Sequence, residues 1–195
     1  MIRLIVFLIL TLSLNSAFAA KILKFKGKVL VNSVRQSQAV SINTGDVVEA
    51  VGKDSFFIIG YEDGSKFILR NGKIKVESIN PKKKTSTLNM VRGLMSTFIN
   101  PKSNNKFIVK NKSTIFGVRG TKFMLNVTEK DSYLCVCEGK VEVSKNGESA
   151  LVSRGEDITV EDSTKELKTS KAIDQMWTMA SGSFVDLGIT IKDRK

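Results

Sequence analysis

Side chains that could do chemistry are few in this sequence. The chain has 195 residues, no histidine and only two cysteines. Catalysis by serine–histidine or cysteine–histidine pairs is therefore excluded, as are histidine-ligated metal sites. An enzyme would need a carboxylate pair or a serine–lysine arrangement, and Asp63 and Ser65 lie in what the sequence predicts to be an ordinary hairpin turn. We predict a protein that is not an enzyme, with no catalytic residues, no metal and no cofactor.

The two cysteines, Cys135 and Cys137, are two positions apart in a predicted strand. Side chains alternate along a strand, so both thiols point to the same face, with their Cα atoms about 6.8 Å apart. That distance is at the outer limit for a disulfide. Three interpretations follow: two small buried core residues, which we favour, a strained disulfide, or a site for a soft metal such as Cu(I).

Positive charge dominates the composition. The chain holds 31 Lys and Arg against 19 Asp and Glu, a formal net charge of +12. Such a surface attracts anions, although it also serves simply to keep a protein soluble. Three consecutive lysines, Lys82, Lys83 and Lys84, follow an Asn-Pro turn signal. We interpret them either as a solvated loop or as an anion-binding loop.

Residues 1–19 have the features of a secretory signal peptide. A short positive start, Met1-Ile2-Arg3, precedes an apolar run from Leu4 to Leu14 and the small residues of Ala17-Phe18-Ala19. This pattern predicts cleavage before Ala20. The apolar run is shorter than the roughly 20 residues of a membrane span. We therefore expect a periplasmic or secreted protein with no membrane span after cleavage and no nucleic-acid partner. Its partner would be an envelope protein or an anionic envelope polymer.

Strand signals dominate the remainder. The stretch SFFIIGYEDGSKFILRNGKIKVESI holds three apolar runs, separated by Asp63-Gly64 and Asn71-Gly72. Both dipeptides favour tight hairpin turns, and Glu138-Gly139 and Asn146-Gly147 repeat the pattern later in the chain. Strands at regular spacing indicate an all-β fold. We predict an antiparallel β-sandwich or β-roll built from hairpin meanders.

The chain also contains an internal repeat. Gly-Lys-Val-x-Val occurs at Gly27 and again at Gly139, and each copy leads to a Gly-Asp or Gly-Glu pair at Gly45 and Gly155. We expect the two copies to form similar hairpins at the two ends of the core.

Residues 163–195 are predicted to form a polar linker followed by a C-terminal helix and tail. Ile173, Met176 and Trp177 share one face at helical spacing, and Ser170 is a candidate N-cap. The helix either covers an open end of the β core or presents this face to a partner.

The stretch STIFGVRGTKFMLNV raises a question about Arg119. Phe123, Leu125 and Val127 alternate on one face, and the same parity carried backwards puts Arg119 on that apolar face. A bulge at Gly117 or Gly120 would reverse the register. Otherwise the arginine is a buried structural residue hydrogen-bonded to carbonyls and a carboxylate, or a ligand for a buried anion. We favour the buried structural role.

This stretch resembles the signature of the FecR-domain family, whose members share Val-Arg-Gly-Thr followed by an apolar strand. Here those residues are Val118, Arg119, Gly120 and Thr121. GDVVEAVGKDSFFIIGYEDGSKFILRNGKIKV resembles the family's opening strands, and CVCEGKVEVSKNGESALVSRGEDITV its closing strands. We assign residues 20–162 to a FecR-like β domain.

The resemblance implies an all-β domain beyond the inner membrane, with a role in binding or signalling. The best-known members are anti-sigma regulators with a cytoplasmic segment and a membrane span before this domain. A cleavable leader in that place predicts a free-standing exported domain instead. The leading hypothesis is a binding or signalling module, and the alternative is a structural subunit of an envelope assembly that docks through the Trp177 helix. The resemblance favours a structural Arg119, with Asp46, Asp63 or Glu156 as candidate partners.

Overall fold

Alternating apolar residues form strands along most of the chain, which confirms the all-β prediction. The structure, a computed structural model, describes residues 20–80 and 82–193. The predicted signal peptide lies outside the described residues. The strands are β1 (Ala20–Val31), β2 (Val34–Arg35), β3 (Ser41–Ile42), β4 (Val47–Tyr61), β5 (Lys66–Asn80), β6 (Thr85–Phe98), β7 (Lys106–Asn111), β8 (Thr114–Val118), β9 (Lys122–Val127), β10 (Asp131–Glu138), β11 (Lys140–Lys145), β12 (Glu148–Ser153), β13 (Glu156–Glu161) and β14 (Ser170–Lys171). Helix α1 (Asp174–Gly182) and a 3-10 turn (Val185–Leu187) complete the fold.

Four long strands build two packed layers from one continuous sheet. The first layer has the strand order β12-β11-β8-β7-β6-β5-β4-β1-β2. The second layer continues from β6 through β9, β10, β13 and β14 on one side, and β3 pairs with the start of β1 on the other. Strands β1, β4, β5 and β6 pass through both layers, and all neighbours are antiparallel except β6 and β7. The main core, which includes Phe57, Phe67, Phe116 and Phe123, fills the space between the layers.

The long strands bend where one layer passes into the other. Asn71 has φ of 41° and Gly93 has φ of 115°, and the pairing of β5 with β6 shifts register between them. The sequence prediction of a hairpin at Asn71-Gly72 was wrong. Its positive φ makes a bend inside β5, whereas Asp63-Gly64 forms the predicted turn between β4 and β5.

Of the two later turn signals, one forms the predicted hairpin and the other does not. Asn146-Gly147 joins the paired strands β11 and β12, as predicted. Glu138-Gly139 does not make a hairpin, because β10 belongs to the second layer and β11 to the first. Gly139, with φ of 83°, carries the chain between layers. Gly27, at the matching place in the internal repeat, has φ of 77° and does the same within β1. The two hairpins that follow, β1–β2 and β11–β12, lie at opposite ends of the first layer.

The C-terminal segment packs on the outer face of the second layer. Ser170 is not the N-cap of the helix, because it lies in β14 and its hydroxyl donates to Asp157 Oδ1 at 2.5 Å. Helix α1 starts at Asp174, after Ile173. Ser96 and Ser183, from β6 and the end of the helix, share a buried hydrogen bond of 2.6 Å. The helix thus covers part of a sheet face and forms a third layer there.

Candidate binding site

The Val118–Thr121 element is a crossover between layers. It joins β8, which pairs with β7 and β11 in the first layer, to β9, which pairs with β6 and β10 in the second. Val118 and Thr121 are buried, at 4% and 1% exposure, but Arg119 is exposed. The prediction of a buried Arg119 was therefore wrong. Gly120 has φ of 59°, which breaks the strand, so the parity of β9 does not extend back to the arginine.

Glycines fix the position of this crossover. A Cβ at Gly120 would lie 3.3 Å from the Cα of Pro101, in the loop between β6 and β7. A Cβ at Gly139 would lie 2.6 Å from Cγ2 of Thr121 and 2.9 Å from the Gly120 carbonyl oxygen. The Val118–Thr121 backbone is thus held between the loop at Pro101 and the backbone at Gly139, where the chain passes between the layers again. Its structural contribution comes from the glycine and threonine, not from the arginine.

With the described residues, the Arg119 side chain makes one long hydrogen bond, in which its Nη2 donates to Asn104 Oδ1 at 3.4 Å. The carboxylates predicted as its partners have other donors. Asp46 accepts from the Asn32 side chain and Glu156 from the Ser153 amide. The guanidinium therefore remains directed to solvent, beside Lys140 and a shallow depression above Gly117.

The third predicted partner, Asp63, forms a polar network at the same end of the domain. Its carboxylate accepts hydrogen bonds from the Ser65 amide (2.9 Å) and hydroxyl (3.0 Å), from Ser103 (2.6 Å) and from Asn105 (2.7 Å). Partial burial acts to raise the pKa of this carboxyl, but the four donors outweigh it and hold the pKa below its ordinary value. A carboxylate that is fully engaged in this way ties the β4–β5 turn to the β6–β7 loop.

Lys82, Lys83 and Lys84 are exposed in the turn between β5 and β6. Within the described residues none of the three forms an ion pair. The Lys83 amide donates to Asn80 Oδ1 at 2.9 Å, and the Lys84 carbonyl accepts from the Lys106 amide at 2.8 Å. The backbone of this loop is fixed while its three ammonium groups stay in solvent.

The three residues of the predicted partner face of the helix differ in their exposure to solvent. Ile173 is 62% exposed, Met176 is half-buried, and Trp177 is only 9% exposed. Trp177 packs with Phe184 and Leu187 against the apolar outer face of the second layer. Of the two interpretations of this helix, the one in which Trp177 faces a partner was therefore wrong, because this domain already covers the indole.

Both cysteines are free thiols buried under the helix. Cys135 and Cys137 lie on the same face, as predicted, and are 0% and 1% exposed. A hydrogen bond with Cys135 and burial both raise the pKa of the Cys137 thiol far above its ordinary value. This agrees with the favoured interpretation of two core residues. No cluster of His, Cys, Asp and Glu able to hold a metal ion occurs in residues 20–80 and 82–193.

An open basic groove lies where the C-terminal segment stops short of β1 and β4. Its volume is about 510 Å³, and it is lined by Lys24, Phe25, Lys26, Lys53, Asp54, Ser55, Phe56, Arg70 and Asp186. Lys26, Phe56 and Arg70 form one cross-strand row, because Lys26 pairs with Phe56 and Phe56 with Arg70. Four cations and two carboxylates surround the half-buried ring of Phe56, whereas Phe25 packs against the main core on the opposite face of β1. Such a groove can bind anionic groups and an adjoining apolar group together.

The four cations of the groove differ in whether an ion pair already neutralises them. Arg70 Nη2 donates to Asp186 Oδ2 at 2.7 Å and to the Ser183 carbonyl at 3.1 Å, so the C-terminal segment already neutralises it. Lys24, Lys26 and Lys53 are exposed and form no ion pair with any described residue. These three ammonium groups, called the groove lysines below, are the part of the groove open to an anion.

The contact of Gly27 with Ser55 shapes the groove. A Cβ at Gly27 would overlap the Ser55 hydroxyl, which accepts from the Lys28 amide at 3.1 Å and donates to the Val51 carbonyl at 2.7 Å. These bonds hold β4 in a bulge that projects Lys53 beside Lys24 and Lys26. This groove was not predicted from the sequence. Alternating lysines around Gly27 were a signal for it, but the contribution of Lys53 depends on the pairing of β1 with β4.

Comparisons with known proteins concern the domain as a whole. Residues 48–142, just under half of the chain, match the model of the FecR family, described as FecR protein. No curated protein matches the chain. A structure of a proposed anti-sigma factor from Parabacteroides distasonis ATCC 8503 is similar, with 16% identity and a TM-score of 0.57 over 66% of this chain and 61% of that one. A second structure from the same organism, also of a proposed anti-sigma factor, has 15% identity and a TM-score of 0.45 over 75% and 62%.

The chain spans about three-fifths of the length of each of these two solved structures. At 16% identity, the first likeness shows a shared fold. In the described part of the chain, no helix has both the length and the apolar character needed to cross a membrane.

Proposed function

We propose, on the premise that the chain carries a FecR domain at residues 48–142, that the protein is an exported, non-catalytic binding or signalling module of the bacterial envelope. Its location is periplasmic or secreted. The features of residues 1–19 support export, and the shared fold with a proposed anti-sigma factor supports a regulatory use of the domain. The partner is an anionic component of the envelope.

The groove lysines carry this proposal. They place three ammonium groups that form no ion pair with a described residue around one open groove, beside the half-buried Phe56. An exported protein meets phosphate and carboxylate groups on envelope polymers and on acidic proteins. Association of such groups with exposed lysines gains favourable electrostatic energy and weakens with salt.

A non-catalytic role fits the state of the titratable side chains. Asp63 is saturated by four hydrogen bonds, and the Tyr133 hydroxyl donates to Asp157 at 2.8 Å beneath the C-terminal segment. Both carboxylates join elements of the fold. Among the described residues, the groove offers cations and one phenyl ring but no nucleophile paired with a base.

Two triple variants with equal loss of charge test the proposal. One changes the groove lysines Lys24, Lys26 and Lys53 to glutamine, and the other changes Lys82, Lys83 and Lys84 to glutamine. Binding to polyglutamate is measured by calorimetry at several salt concentrations. We expect the groove variant to lose affinity and salt dependence, and the loop variant to stay close to wild type.

Equal losses in both variants would mean that only net charge matters, and would contradict a specific groove. A loss confined to Lys82–84 would transfer the site to the loop predicted from the sequence. Binding that survives high salt would indicate a protein interface in place of polyanion recognition. Thermal unfolding of each variant checks that the fold is unchanged.

A further inference from the structure

The strands at the ends of the two layers differ in length. Among the strands of the described residues, four pair with only one neighbour each: β2, β3, β12 and β14. Three of them have two residues, and β12 has six. A short terminal strand protects a sheet because it offers few free amides and carbonyls to another chain. Among the described residues, β12 is therefore the long terminal strand that lacks this protection.

The residues of β12 also lack the other usual protection. Its six pairs with β11 run without a register shift, and Glu148, at its first position, is its one charged residue. By contrast, the open side of β1 has two register shifts and the lysines Lys24, Lys26 and Lys28. Leu151, in the middle of β12, is 53% exposed on the outer face. Strand β12 is thus a regular, nearly uncharged edge with an apolar centre.

The hydrogen-bonding direction along β12 follows from one contact. The Ser153 amide donates to the Glu156 carboxylate at 2.7 Å and so faces away from β11. Directions alternate along an antiparallel strand. The amides and carbonyls of Ser149 and Leu151 therefore also face the open side, where they can pair with another strand.

We propose that a second copy of this chain pairs with β12 in antiparallel fashion, with a twofold axis at Leu151. In this register the edge is self-complementary. Leu151 lies opposite Leu151 of the second copy. Ser149 lies opposite Ser153, whose carbonyl can accept while its amide keeps the bond to Glu156, and Glu148 lies next to Arg154 in the turn after β12. Twofold symmetry makes each unlike pair occur twice, so two ion pairs flank one apolar contact.

The charged residues at the two ends of the edge are able to form ion pairs in this register. Glu148 and Arg154 are exposed, and neither forms an ion pair with a described residue. Arg154 Nη2 donates to the carbonyl oxygen of Asp193 at 2.8 Å, which directs the guanidinium along the surface without neutralising it. A register shifted by two positions would place Glu148 opposite Val152 or Glu156 of the second copy and lose the pairing with Arg154. Charge complementarity thus selects the pairing centred on Leu151.

Sedimentation velocity of the purified protein, over a concentration series at physiological salt, tests the pairing. The salt screens the repulsion between two copies that each carry a formal charge of +12. We expect a reversible dimer in wild type and a monomer in Leu151→Lys. The matched control is Ile115→Lys, which adds the same charge at a 42% exposed residue on the same face but away from the edge. A monomeric wild type, or a dimer unaffected by Leu151→Lys, would overturn the proposal and leave the edge to a strand from another protein.

Cross-linking tests the register independently. In hydrogen-bonded antiparallel pairs the Cα atoms are about 5.5 Å apart, a distance that a disulfide spans. Leu151→Cys should therefore give a covalent dimer under mild oxidation, while Ile115→Cys stays monomeric and the buried native cysteines do not react. Glu148→Arg or Arg154→Glu alone should weaken the dimer, and the double variant should restore it. Equal cross-linking of both cysteine variants, or no rescue in the double variant, would contradict the proposed register.

Discussion

Gly72 and Gly93 face each other at the bend shared by β5 and β6. A Cβ at Gly93 would lie 2.5 Å from the Cα of Gly72, and a Cβ at Gly72 would lie 2.6 Å from the Arg92 carbonyl oxygen. No side chain fits between two backbones at this distance. The pair lets the adjacent strands pass together from the first layer into the second, and their pairing continues on both sides of the bend.

Replacing Gly93 by alanine should destabilise the domain. The residue has φ of 115°, and the new methyl group would meet backbone atoms on β5. We expect the free energy of unfolding to fall by more than about 2 kcal/mol in chemical denaturation. Gly117→Ala is the matched control, since the nearest atom to its Cβ would be 3.8 Å away. A similar cost for both would mean that the bend is not sterically constrained.

The exposed Arg119 should contribute little to stability. We expect Arg119→Ala to change the free energy of unfolding by no more than about 0.5 kcal/mol, as for other surface substitutions. Gly120→Ala should cost more than about 1 kcal/mol, because the residue has a positive φ and the methyl group would press on Pro101. Urea denaturation of the two variants separates the roles. A large loss in Arg119→Ala would restore the buried structural role predicted from the sequence.

Asp63 should make stability depend on acid pH. Its pKa in the folded state is held below the ordinary value of 3.8, so the unfolded chain takes up protons first as the pH falls. The stabilisation is complete above that ordinary value and is lost as the pH falls through the lower, folded pKa. We expect Asp63→Asn to cost about 1–2 kcal/mol at neutral pH and to remove part of the acid sensitivity. Unfolding curves at several acid pH values measure both, and identical pH profiles for the two proteins would contradict this.

Trp177 should hold the C-terminal segment to the sheet. We expect Trp177→Ala to lower the free energy of unfolding by about 3 kcal/mol, because it removes a buried indole. Ile173→Ala, at a residue that is 62% exposed, should cost no more than about 0.5 kcal/mol. Since the chain has one tryptophan, wild-type fluorescence should report a shielded ring. A solvent-exposed emission spectrum would show that the helix is not docked in solution.

Local features of the sequence predicted the strands, the turns at Asp63-Gly64 and Asn146-Gly147, and the helical spacing near Trp177. Asn71-Gly72 and Glu138-Gly139 contain the same turn signal but form bends between layers. A residue with a positive φ can make either a hairpin turn or a bend. Whether a turn or a bend forms depends on which strands pair on each side, and the local sequence does not determine that pairing. The parity argument for Arg119 failed for a related reason, since it assumed one strand where Gly120 begins another.

The groove depends even more on distant contacts. Lys24 and Lys53 are far apart in sequence and meet because β1 pairs with β4 around the bulge at Ser55. The burial of Trp177 likewise required an apolar face on the second layer, built from strands far earlier in the chain. Amphipathic spacing predicts that a helix has a face to bury, but not what covers it.

The passage of β1, β4, β5 and β6 through both layers also determines how the molecule can open. Each of these four strands belongs to both layers, so neither layer can move away from the other while all four strands stay paired. The domain should therefore lack a partly opened state in which one layer remains intact. Amide hydrogens in the paired stretches of β4, β5 and β6 on both sides of the bends should exchange with solvent at a common, slowest rate set by global unfolding.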